Sequence, residues 1–234
     1  MAIAKASGFI IRGIDYQESG RIVTLLSSGL GKISLLAKGA RRMESRFGAA
    51  LDLLNLVEVI FYEGRGLKLL KDAAIIKSYA ELKRDYVRLE AALKAARILN
   101  ILLKDGQRDH RIYYLFAELL EELEDDGRSS ALLLLGFKLK LIDLLGFGPT
   151  LDRCSLCRSP LEEETFFSPE AGGIVCGDCR REGDSPIDVR LVKGMGMILR
   201  LPLQKLHRLI LPEELITQGE EALDRFISYH LQPI

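Results

Sequence analysis

The apolar positions of this chain change period part-way along. Over residues 1–80 they fall in short runs or alternate, as strands do. Ser7–Ile14, Arg21–Ser27, Lys32–Ala37 and Leu53–Tyr62 are rich in β-branched and aromatic residues. Val57, Val59 and Phe61 recur at every second position. The turn Gly29-Leu30-Gly31 precedes the third run, and Gly64-Arg65-Gly66 leads into Leu67–Lys71 and Ala73–Lys77. Short strands with closely spaced turns predict a small β-barrel or sandwich of five or six strands.

From Ser78 the spacing becomes helical. Ser78-Tyr79-Ala80-Glu81 has the capping-box form, which places Ser78 as N-cap. Leu82, Tyr86, Leu89 and Leu93 follow on one face, and this helix is predicted to end near Asp105-Gly106. Ile112–Leu123 is a second helix, stopped at Asp126-Gly127. Ser130–Leu145 is apolar almost all round, the mark of a central buried helix, with Gly146 as its C′ residue and Pro149 beyond. After a loop-rich segment, Val189–Leu201, Gln204–Leu211 and Glu213–Leu231 read as helices broken by Pro202 and Pro212. The chain is therefore expected to be multidomain α+β. A barrel would occupy residues 1–79, a helical domain 80–150 and 187–234, and a small module 151–186, inserted in the helical domain.

All four cysteines lie in that module, as Cys154-x-x-Cys157 and Cys176-x-x-Cys179 with eighteen residues between the pairs. Two intervening residues let a tight turn aim both sulfurs at one point, and two such turns complete a tetrahedron around Zn²⁺. No thiol is left over, so the site reads as structural and closed, one zinc per chain. Two disulfides or a redox C-x-x-C are the alternatives. A redox pair needs no matching second pair, and no thioredoxin-like βαβ pattern surrounds these cysteines.

Formal charge sums to zero but is unevenly spread. Residues 1–80 carry twelve Lys/Arg against seven Asp/Glu, and residues 151–188 carry four against nine. The basic surplus points to an anionic partner for the barrel. Lys38, Arg41, Arg42 and Arg46 cluster in the segment after the third strand, with Glu44 among them. Loops and one sheet face of a small barrel are where nucleic-acid strands lie. Arg12, Arg21 and Lys32 would extend the same face. An ordinary solvated loop is the competing reading.

No sequence motif for catalysis is present. His110, His207 and His230 stand apart from second metal-ligand types at helical spacing. There is no G-x-x-x-x-G-K-[ST] phosphate loop, and Gly64-x-Gly66 lacks a third glycine. The stretch Met1–Ala6 has no long apolar run, and Ala131–Leu135 is far too short to cross a bilayer. With paired thiols, this predicts a reducing cytoplasm.

Three stretches resemble the bacterial RecO family of recombination and repair mediators. They are Gly13-Ile14-Asp15-Tyr16-x-Glu18-x-x-Arg21-Ile22-Val23-Thr24-Leu25, then Gly31-Lys32 with Lys38-Gly39-Ala40-Arg41-Arg42, and Leu144-Leu145-Gly146-Phe147-x-Pro149-x-Leu151-Asp152-x-Cys154-x-x-Cys157. The resemblance implies an OB-fold barrel, then a helical domain with an inserted zinc module. It implies binding of single- and double-stranded DNA and annealing of complementary strands. It further implies partnership with RecR and the single-strand-binding protein in loading RecA, the RecF pathway of repair, in a nucleoid-associated cytoplasmic protein. Two rivals are a zinc-containing hydrolase using Glu162–Glu164 and an interaction adaptor without DNA affinity.

Overall fold

The computed structural model describes residues 2–64, 66–160 and 163–230. The turn residue Arg65, the acidic Glu162 and the predicted helix end at Leu231 lie outside them. The chain divides into two compact units, Met1–Glu124 and Asp125–Ile234.

The first unit is built on a closed five-stranded barrel in the order β1-β2-β3-β5-β4, the topology of an OB fold. Its strands are β1 (Ile3–Tyr16), β2 (Gly20–Ser27), β3 (Gly31–Ala37), β4 (Leu56–Tyr62) and β5 (Lys68–Lys77). The predicted alternation holds where it was clearest: Val57, Val59 and Phe61 point inward with Ile33, Leu35 and Ala37. β3 meets β5 in parallel at Leu35 and Leu36, and this pairing closes the barrel. The two runs flanking Asp72 form one strand. A register shift opposite Ile60 and Phe61 skips Lys71, so the polar Lys71-Asp72 pair bends β5 without ending it.

A second bulge lets β1 serve two cores. The register shifts between Ile10 and Arg12, and Phe9, Ile10 and Ile11 are all buried. Ile10 faces the barrel interior. Phe9 meets Tyr79, Tyr113 and Phe116 at ring-centroid distances of 6.2, 5.2 and 5.3 Å. Phe9 so ties the barrel to α3 (His110–Glu124), and with α1 (Ala80–Arg84) and α2 (Tyr86–Leu102), which packs on β1, this helix belongs to the barrel unit.

The single long helix expected after Ser78 is two. Asp85 adopts an extended conformation and its carboxylate caps α2, accepting from the Arg88 amide at 2.9 Å. Ser78 does not cap α1. Tyr79 holds that place in the left-handed region (φ 53°), and Glu124 accepts the Leu82 amide at 3.2 Å instead. The buried face of α2 is Ala91, Ala92, Ala95, Ala96 and Leu99, and the four small alanines admit β1 closely.

In the second unit, α4 (Ser130–Leu144) is central and buried on nearly all sides, as its all-round apolar sequence predicts. It ends in a Schellman motif. Gly146 takes φ +85°, its amide donates to Asp143 O at 2.9 Å, and the Phe147 amide donates to Ile142 O at 2.9 Å. Helices α5 (Val189–Arg200) and α6 (Glu213–His230) pack on it. The expected helix at 204–211 is only a 3-10 turn, Leu203–Arg208. Between α4 and α5 a three-stranded sheet, β7-β6-β8, forms the cysteine module. Its strands are β6 (Thr165–Ser168), β7 (Gly173–Cys176) and β8 (Ser185–Pro186). Phe167 of β6 meets Phe226 of α6 at 5.9 Å and seats the module on the helices.

Candidate metal centre and nucleic-acid interface

The four cysteines converge. All their sulfurs lie within 4.8 Å of one another, and none is in a disulfide. Cys157 Sγ and Cys176 Sγ are 3.7 Å apart. The first knuckle is closed by two backbone bonds: the Arg158 amide donates to Cys154 O at 3.0 Å, and the Cys154 amide to Ser159 O at 2.9 Å. This turn forces Arg158 to φ +66°, a left-handed conformation that costs a non-glycine residue about 1–3 kcal/mol. The second knuckle leaves β7 at Cys176 and turns through a 3-10 segment, Gly177–Cys179. Phe166, Val175 and Ala171 pack beneath the sulfurs.

The sulfurs are unequal. Burial opposes ionisation of Cys154, yet the amides of Cys157, Cys176 and Leu156 pull its pKa down to about 6. The Cys176 amide lies 3.5 Å from that sulfur. Cys157 is lowered first by Ser159, whose hydroxyl oxygen is 3.1 Å away. Cys179 is pushed up to about 12, chiefly by its hydrogen bonds with Cys157 and Cys176. Thiolates are the form in which cysteine binds a metal ion. The donor set fits a closed, soft-metal site.

The basic segment sits at one edge of the barrel. Phe47, Ala50 and Leu51 insert into the barrel core and anchor the segment's far end, with Arg46 stacked over Phe47 at 5.0 Å. The turn joining β1 and β2 stands opposite, and the Arg41 amide donates to Ser19 O at 3.0 Å. Between them lies a groove of about 500 Å³ lined by Tyr16, Glu18, Lys38 and Arg42. Arg41 is turned to Asp15, Nε to Oδ2 3.4 Å. Arg12 is exposed on β1, and the Arg21 guanidinium lies flat against Gly13, its Nε 2.9 Å from where a Cβ would stand.

The structure removes Lys32 from the basic face. Its side chain is 11% exposed, its ammonium donates to Asn100 O at 2.9 Å and pairs with Asp105 at 3.4 Å. A Cβ at neighbouring Gly31 (φ +68°) would come within 2.0 Å of Gln107 O, so β3 and the α2–α3 loop touch here.

Residues 1–79 match the family described as "Recombination protein O N terminal", and residues 83–233 match "Recombination protein O C terminal". The chain belongs to the RecO family. The DNA repair protein RecO of Symbiobacterium thermophilum is 32% identical over 232 residues, 97% of this chain and 92% of that protein. The DNA repair protein RecO of Rubrobacter xylanophilus is 35% identical over 233 residues, 99% of this chain and 92% of that protein. A relative from Caldanaerobacter subterraneus subsp. tengcongensis, also a DNA repair protein RecO, is 25% identical over 234 residues.

Sequence reasoning missed two RecO residues at these sites. Tyr16 supplies an aromatic ring to the barrel groove, and lies beyond the predicted strand Ser7–Ile14. Ser159 lowers Cys157 from just beyond the C-x-x-C pair. Among the described residues the four cysteines are the group placed to hold a metal, while Glu163 and Glu164 are exposed on the loop before β6 and Glu162 lies outside those residues. No helix is long and apolar enough to cross a membrane among the described residues.

Proposed function

We propose that this protein is a nonenzymatic DNA mediator of recombinational repair. It binds single- and double-stranded DNA, anneals complementary strands and, with RecR, helps RecA onto strands coated by the single-strand-binding protein in the cytoplasm, at the nucleoid. The observation that carries this reading is the barrel groove: Lys38, Arg42 and Tyr16 together line about 500 Å³ on a closed OB barrel. Cations track a phosphate backbone while an aromatic ring accepts an unpaired base. Arg46, Arg41, Arg12 and Arg21 widen the positive rim. Annealing consumes no fuel, because base pairing supplies the free energy. The protein has only to screen backbone repulsion and keep bases accessible.

The resident metal is Zn²⁺, held by Cys154, Cys157, Cys176 and Cys179 as four thiolates. Bound there, it cross-links the two knuckles and has no reactive role. The chain's own amides favour the thiolate of Cys154, and Ser159 favours that of Cys157.

Annealing of complementary oligonucleotides tests the function. The purified protein is expected to accelerate pairing without ATP, and to do so on strands coated by the cognate single-strand-binding protein. Polylysine should anneal naked strands and fail on coated ones. Behaviour identical to polylysine on coated strands sinks the mediator reading.

A further inference from the structure

Helix α5 carries Lys193, Met197 and Arg200 at i, i+4 and i+7, a single exposed face about 10 Å long. The first cysteine knuckle hangs over this face. Together with the loop at Pro149–Asp152 they enclose a groove of about 630 Å³, lined by Arg158, Lys193 and Arg200 against a single carboxylate, Asp152. That carboxylate is already held by Arg153 at 2.7 Å. The module's other cations are likewise committed: Arg181 pairs with Glu170 at 3.1 Å, and Arg180 stacks on Phe166 at 4.4 Å. Arg158, Lys193 and Arg200 form no ion pair among the described residues. Three cations thus converge on one groove: Arg158 from the acidic cysteine segment, where it also acts on Asp152, and Lys193 and Arg200 from α5.

The geometry points to this groove as a phosphate-backbone seat for duplex DNA, separate in role from the barrel groove. One observation selects the duplex. No aromatic ring lines the groove, so it offers nothing on which to stack an unpaired base, whereas a duplex keeps its bases stacked and turns its phosphates outward. A second points to phosphate: Arg158, at φ +66° where glycine would sit without strain, lines the groove with a guanidinium, the group that forks onto phosphate oxygens. This inference rests on the DNA-binding reading above. It adds that the product of annealing, the duplex, is held by the cysteine-module unit, while the barrel holds the unpaired strand.

The test uses metal-loaded full-length protein and fluorescence anisotropy with labelled single strands, labelled duplex and a labelled polyglutamate peptide. The variant Arg158→Gly/Lys193→Gln/Arg200→Gln relieves backbone strain and alters exposed positions, and a melting temperature no lower than wild type with unchanged metal content establishes that it folds. Loss of three phosphate contacts is expected to flatten the duplex slope of log K against log[salt] by about 2–3 and to weaken duplex binding at least about tenfold. Single-strand affinity should stay within about twofold. A duplex slope and affinity equal to wild type overturn the proposal. So does equal weakening for both DNA forms, or loss of polyglutamate binding with duplex binding intact, which would make the groove a seat for acidic protein segments. A parallel variant, Lys38→Gln/Arg42→Gln, separates the two levels. If wild type binds no DNA, both readings fail; if it binds and this variant changes nothing, the barrel-groove reading fails by itself. If it weakens single-strand binding while the α5 variant leaves duplex binding untouched, only the duplex seat falls.

Discussion

The ammonium group of Lys32 lies 2.9 Å from the carbonyl oxygen of Asn100, sixty-eight residues away. A lysine that reads in sequence as part of a basic face is instead a pin between β3 and the end of α2. The carbonyl is one of the four at a helix C-terminus without an intrahelical partner, and a cation there also meets the negative end of the helix dipole.

Replacing Lys32 by methionine keeps the stem and removes the charge. The bond to Asn100 is charge-assisted and part-buried, so the expected cost is about 2 kcal/mol, a fall of several degrees in Tm. The salt dependence of DNA binding should not change. A shallower slope with unaltered Tm would return Lys32 to the DNA face.

Tyr79 gives the barrel unit an alkaline limit. It is buried, and its hydroxyl donates to Glu121 at 3.0 Å. Burial, then that hydrogen bond, pushes its pKa well above the usual 10.0. A raised folded-state pKa means stability that is complete below pH 10 and is lost as pH rises further, because the unfolded tyrosine ionises first. Urea midpoints of wild type should therefore drop between pH 9 and pH 11 more steeply than those of Tyr79→Phe. Parallel curves would show that Tyr79 does not titrate differently in the two states.

The cysteine centre predicts four thiols released together. With chelator, a thiol reagent should titrate about four groups per chain, and zinc near one equivalent should leave at the same time. Because metal affinity is folding free energy, a metal whose free concentration is a thousandfold above its Kd contributes about 4 kcal/mol. Removing it should lower the unfolding free energy of the 125–234 unit by about that much. Cys176→Ser should abolish stoichiometric zinc. Retention of one tight equivalent by that variant excludes the four-thiolate site.

What could be read from the sequence divides along physical lines. β4 was legible because Val57, Val59 and Phe61 alternate strictly and one face is dry. The Schellman end of α4 was legible because Gly146 is where a left-handed residue must fall. The cysteine cluster was legible because spacing alone constrains a knuckle. The bulge that buries Phe9, Ile10 and Ile11 together was not, since it depends on register with β2. Nor was the exchange of Ser78 for Tyr79 and Glu124 at the start of α1: local capping chemistry lost to a side chain arriving from α3. The partners of Lys32 and Arg41 are likewise tertiary, and a charge count over residues 1–80 cannot reveal them.

Arg41 and Asp15 carry the last prediction. Their side chains are 3.4 Å apart and about half exposed, so the pair itself contributes little to stability. It matters for DNA, because Asp15 competes with phosphate for Arg41 and repels the backbone from the adjacent Lys38–Arg42 groove. Asp15→Asn removes the competitor and leaves the cation. An exposed ion pair is worth about 0.2–1 kcal/mol, so single-strand binding should tighten by about 1.5–5-fold at low salt. Arg41→Gln should weaken it by a similar factor. In Asp15→Asn/Arg41→Gln the two effects should not add, since each substitution acts through the other residue. Anisotropy titrations at two salt concentrations distinguish the cases: the gain from Asp15→Asn should shrink as salt screens the groove. Weaker binding by Asp15→Asn would mean that the carboxylate positions Arg41 for phosphate, and the competition account would be wrong.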